Sequence, residues 1–99
     1  MTNEQRLKNL SVPTGHIDVV LDTDAYNEIE DQFALVYLLR AKEKLNTKAI
    51  YAAPFLNCNA TSVSDGMERS YNEIHKILGL MSERAEVYKG ADRFLENEY

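Results

Sequence analysis

The chain is 99 residues long, 44% hydrophobic and 27% charged, with a formal net charge of −5. That length fits one domain or part of one, with a modest core. The acidic balance argues against a nucleic-acid backbone as the main partner, and no apolar run approaches the about 18–20 residues of a membrane span.

Residues 1–16, MTNEQRLKNLSVPTGH, read as a polar lead-in, a loop or short helical turn punctuated by Pro13 and Gly15. They hold no apolar signal-peptide core, so a cytoplasmic location is expected. His16 reads as a solvated residue flanking the strand that follows.

From Ile17 to Leu39 the chain runs IDVVLDTDAYNEIEDQFALVYLL. Ile17, Val19, Val20 and Leu21 are β-branched or apolar and predict a buried strand. Asp31 to Lys44 reads as a helix, apolar on nearly every side from Phe33 to Leu39, with basic residues suited to its C-terminal end. Between strand and helix lie five carboxylates, Asp22, Asp24, Glu28, Glu30 and Asp31, with Asn27 as the amide among them. A loop leaving the C-terminal end of a parallel strand is where open α/β sheets bind ligands. Carboxylates crowded there repel one another unless a cation, a proton or a helix N-terminus compensates. A hard divalent cation held by oxygens is the simplest resolution. Glu28, Glu30 and Asp31 equally suit the cap and first turn of a helix. That ordinary role does not extend to Asp22 and Asp24, two acids at the end of an apolar strand. If the strand continues, they point to one side.

Thr47 to Ala53 predicts a second strand, stopped by Pro54. The loop FLNCNATSVSD follows, again at the C-terminal end of a strand. Its Asn57 and Asn59 suit a sugar hydroxyl or a cation shell, or plain turn chemistry. Asn59-Ala60-Thr61 has the spacing of a glycosylation acceptor, which is without consequence in a cytoplasmic protein. Cys58, the single cysteine, cannot form an internal disulfide, which fits a reducing compartment; with no histidine beside it, it reads as an ordinary thiol. A second helix is expected from Ser64 or Asp65 to Leu80, with Ser64, Asp65 and Glu68 as capping signals. Met67, Tyr71, Ile74, Leu78 and Met81 recur as one apolar stripe for the core. His75 lies one step off that stripe, expected part-exposed. Ala85 to Tyr88 reads as a short third strand, Gly90 as a flexible turn, and Asp92–Arg93 as a local salt bridge.

The alternation β-α-β-α-β with short loops predicts an α/β fold with parallel strands and right-handed crossovers. Laid down in the order 3-2-1, the strands place both helices on one face of the sheet. The other face then waits for later helices, so the expectation is a three-layer, Rossmann-like sheet of which residues 17–99 supply only the N-terminal portion, as a truncated product or a fragment.

The run DTDAYNEIEDQFAL resembles the N-terminal signature of the inosine–uridine-type nucleoside hydrolases: a strand ending in Asp-x-Asp, a turn, adjacent acids, and a helix opening on small or apolar residues. It is most similar to the branch whose turn is longer and reads Asn-Glu-Ile. AIYAAPFLNCN resembles the second strand and its Asn-bearing loop, GMERSYNEIHKIL the second helix, and AEVYKGADRFL the third strand with its Gly-Ala-Asp-Arg ending. The resemblance covers Asp18 to Leu95, about the first third of such an enzyme.

The resemblance implies a calcium-dependent N-glycosidase that hydrolyses a ribonucleoside or similar riboside through an oxocarbenium-like centre. Calcium, the implied cofactor, orients the attacking water and the ribose hydroxyls. Asp24 matches the residue that binds calcium and takes the water's proton, and Asp31 matches a second calcium ligand. Glu30 stands at the first acid of the family's Asp-Asp pair, which grips the ribose; its extra methylene displaces that carboxylate by about one carbon–carbon bond. Asn57, or else Asn59, matches the ribose-contacting asparagine. Asp22, with Asn27 and Glu28, is expected to support the loop from behind. The partner is a small nucleoside, with neither nucleic acid nor membrane involved, and the full-length form is expected to be a homo-oligomer. The family's remaining ligands fall beyond Tyr99, so the isolated chain is expected to be inactive. Two alternatives stay open. VVLDTDA also resembles the Asp-x-Asp loop of haloacid-dehalogenase-type phosphotransferases, with Asp22 as nucleophile and Asp24 as acid–base, although Tyr26 departs from that pattern. The other is a non-catalytic fragment that keeps a weak cation site.

Overall fold

A computed structural model describes residues 1–96; the last three residues of the expected 17–99 unit lie outside it. The lead-in contains a short helix, α1 (Asn3–Asn9), started by a capping box in which Thr2 Oγ1 accepts the Gln5 N–H and the Gln5 side chain accepts the Thr2 N–H. None of its residues is buried.

The β-branched run forms β1 (Ile17–Thr23), followed by α2 (Ile29–Arg40), β2 (Leu45–Ala52), α3 (Val63–Met81) and β3 (Val87–Lys89). The strands make one parallel sheet in the order β1-β2-β3, the arrangement the short crossovers predicted. Side chains alternate along β1: Ile17, Val19 and Leu21 are half-buried and Thr23 buried, whereas Asp18, Val20 and Asp22 are exposed. Leu21 pairs with Ile50 and Ile50 with Val87, an apolar row across the sheet. Leu35 and Leu39 of α2, and Met67, Ile74, Ile77 and Leu78 of α3, close over Ile50 and Ala52 to form the core. Both long helices therefore cover one face. The opposite face presents Val20, 60% exposed, and a stacked Tyr51–Tyr88 pair with centroids 5.3 Å apart.

Element boundaries differ from the sequence expectation for local reasons. α2 begins at Ile29 and stops at Arg40 rather than running from Asp31 to Lys44. The Ala41 N–H closes onto the Tyr37 and Leu38 carbonyls, and the Lys44 and Leu45 N–H groups turn back onto Ala41. This tight exit lets Leu45 pair with Ile17, so β2 starts before Thr47. Apolar on nearly every side, α2 buries only one: Leu35, Leu38 and Leu39 are buried, while Phe33 and Tyr37 face outward. α3 starts earlier too, because its cap is Ser62, whose Oγ accepts the Asp65 N–H, not Ser64 or Asp65. β3 lies two residues later than expected at its start and one at its end. Gly90 serves close approach more than flexibility: its N–H bonds the Ala52 carbonyl at 3.0 Å, and a Cβ there would press on that oxygen.

Candidate functional site

Parallel pairing brings the exits of β1 and β2 side by side. Thr23 pairs with Ala52, and the Ala53 N–H bonds the Thr23 carbonyl at 2.8 Å just past the ladder. The acidic loop and the asparagine loop consequently meet on one rim, and Asn27 joins them. Its backbone N–H closes a turn onto the Asp24 carbonyl at 2.7 Å, and its Nδ2 donates to Asp24 Oδ2 at 2.9 Å. Its own Oδ1 accepts from Asn57 Nδ2, and its carbonyl accepts from Asn59 Nδ2 at 3.4 Å. Asn57 Oδ1 in turn accepts the Asn59 N–H at 2.7 Å. Asn27, expected only to support the loop, is the hub of the rim.

Asp31 enters the same cluster from the first turn of α2. Burial pushes its carboxyl above the usual range, and a hydrogen bond with Asp24 and the charges of Asp24 and Glu30 add to the rise. The neighbouring Thr23 hydroxyl works against it. Thr23 is 5% exposed, and its Oγ1 has no well-formed hydrogen bond. Glu28 is the N-cap of α2 but makes no side-chain capping bond. Its carboxyl is also raised, first by sharing a hydrogen bond with Glu30 and then by Glu30's charge. The rim thus sets Asp31 beside Asp24 and Glu28 beside Glu30, with the Asn27 amide bonded to Asp24.

Asp22 stands apart. β1 stops at Thr23, so strand alternation no longer relates Asp22 to Asp24. Asp22 is exposed, in register with Tyr51 and, through it, with Tyr88 on the open face. Among the described residues it makes no hydrogen bond to the acidic loop.

Sequence reasoning overlooked the wall that holds this rim. The Tyr26 N–H donates to the buried Ser70 Oγ at 3.4 Å, and its ring lies 6.4 Å from that of Phe55. The Arg69 guanidinium sits 5.6 Å from the centre of the Tyr26 ring while its Nε binds Asp65 at 2.7 Å. The Asp65–Arg69 spacing of four along a helix was the available signal. Cys58 is exposed, its thiol facing Asn59 Oδ1 at 3.8 Å.

The donor set is all oxygen and amide, which suits a hard cation such as calcium in kind. In number it falls short: among the described residues no group of three or more His, Cys, Asp or Glu side chains is arranged to hold a metal. A cavity of about 680 Å³ lies away from these acids, against Lys48, His75 and Arg84. No helix of the described residues is long and apolar enough to cross a membrane. Comparisons with protein families, with curated proteins and with solved structures find no match for this chain.

Proposed function

We propose that this chain carries the cation- and ribose-binding part of a calcium-dependent ribonucleoside N-glycosidase, as the N-terminal portion of such an enzyme. One observation supports the reading above the others. The Asp24–Asp31 carboxyl pair and the Asn57 amide, from two loops some thirty residues apart, are joined through Asn27 on the ligand-binding rim of a parallel sheet. Asp24 and Asp31 would hold the ion, with the Thr23 hydroxyl buried behind them. Calcium bound there would orient a water and the ribose hydroxyls and make that water more acidic. Asp24 would take the proton of the attacking water. Asn57 and Asn59 would turn their amides from Asn27 to the sugar hydroxyls, and Glu30 would grip the ribose from the start of α2. Six to eight oxygens is the usual shell for calcium, so further ligands must join Asp24 and Asp31 before turnover is possible.

The test is calorimetry of this chain with calcium, followed by ribose. We expect weak calcium binding, lost in Asp24→Asn, and ribose binding only in the presence of calcium. Tight zinc binding with no response to calcium would remove the reading. Magnesium-dependent release of phosphate from a phosphomonoester would replace it with the phosphotransferase alternative.

A further inference from the structure

The outer stripe of α2 is apolar and carries opposite charges at its two ends. Ile29, Phe33 and Tyr37 recur every four residues and are 66%, 69% and 75% exposed. A groove between α2 and α3 continues the patch from Phe33 to Leu80, itself 79% exposed. At 3.6 residues per turn, Arg40 falls between Ile29 and Phe33 on this stripe, and Glu30 flanks Tyr37. Both charged residues are exposed, and neither makes a salt bridge among the described residues.

We infer that this stripe is a self-association surface, on which α2 packs antiparallel against α2 of a second copy. The argument is charge complementarity within one helix. A two-fold axis midway along α2 sets Phe33 against the partner's Tyr37 and Glu30 against the partner's Arg40, each contact occurring twice. A parallel arrangement would set Glu30 against Glu30 and Arg40 against Arg40. Antiparallel packing also opposes the helix dipoles favourably. A contiguous exposed apolar patch with a polar rim is the usual mark of such a contact. The open face of the sheet is a poorer candidate, because Asp18, Asp22 and Lys48 interrupt its apolar residues. The inference shares only Glu30 with the ribose reading above, and its test reads association alone, without calcium or nucleoside.

Sedimentation equilibrium of the full chain, over a range of concentration, should show a monomer–dimer equilibrium. Glu30→Arg or Arg40→Glu alone places like charges across the axis twice, and should weaken the dimer about tenfold or more. The double reversal should return it to within about threefold of the original. Phe33→Ser with Tyr37→Ser should leave a monomer with an unchanged far-ultraviolet dichroism spectrum, since both side chains are already in water. A monomer at every concentration would overturn the inference. So would a dimer indifferent to single reversals, a double reversal that fails to restore it, or association that survives loss of both aromatic rings.

Discussion

α2 and α3 each carry an aspartate in the first turn, where the helix dipole favours negative charge. The two are treated in opposite ways. Asp65 binds Arg69 Nε at 2.7 Å and accepts the Thr61 N–H at 2.9 Å, and its carboxyl is held below the usual range. Ser62 completes that start as a working cap. Among the described residues Asp31 pairs with no cation; it faces Asp24 and Glu30, and its carboxyl is raised. Glu28 above it caps nothing with its side chain. The start of α3 is electrostatically complete and serves the fold. The start of α2 retains unbalanced negative charge, which stability alone does not explain and which a cation from solution would neutralise.

The harshest way to break the comparison is to dislodge α3 from the rim. Gly66 packs in the first turn of α3 directly against the Phe55 backbone, and a Cβ there would overlap the Phe55 carbonyl. Gly66→Ala should therefore remove more than about 3 kcal/mol of stability, measured by urea unfolding. It should also loosen the asparagine loop, because Phe55 leads into Asn57. A small change in stability would show that the loop yields easily and that α3 does not position it.

Next in size is the response to calcium. Ten times the dissociation constant of a ligand specific to the folded state adds about 1.4 kcal/mol. Thermal melts should show a rise of that order with calcium in the unmodified chain and none in Asp24→Asn or Asp31→Asn. Asp65→Asn should keep the full rise, since its carboxylate is already committed to Arg69. Loss of the rise in Asp65→Asn alone would place the cation at the wrong helix.

Much of this architecture is written in local pattern. The strand at Ile17, the stripe on α3 and the parallel order follow from periodicity and short crossovers, because burial on one face selects them. The meeting of Asp24, Asp31 and Asn57 followed from placing both loops at the C-terminal ends of neighbouring strands. The hub role of Asn27 did not, because its four hydrogen bonds depend on the turn that folds it back over Asp24. Whether Asp24 shares the side of Asp22 was open for a related reason: it depends on where β1 ends, and the strand stops one residue short of Asp24. The exits of α2 and β3 were also illegible: α2 ends where the chain turns tightly at Ala41, and β3 where its pairing with Ala52 runs out, and neither is set by helix or strand propensity.

The smallest expected effect is the one that isolates the charge difference itself. Asp31's carboxyl is raised in the folded chain, so its ionisation opposes folding. That penalty is complete above the raised value and disappears as pH falls below the unfolded carboxylate value. Asp65's carboxyl is lowered, so its contribution favours folding above the unfolded value and is lost as pH falls through the lowered one. Asp31→Asn should therefore raise the melting temperature near neutral pH by about 2 °C, an amount kept small by solvent screening. Asp65→Asn should lower it at the same pH, and both differences should fade in strong acid, where wild-type carboxyls are themselves neutral. The measurement is a set of melts from pH 3 to pH 8 without divalent cations. If Asp31→Asn lowers stability at pH 7, then Asp31 serves α2 as an ordinary first-turn acid, and the contrast with α3 loses its meaning.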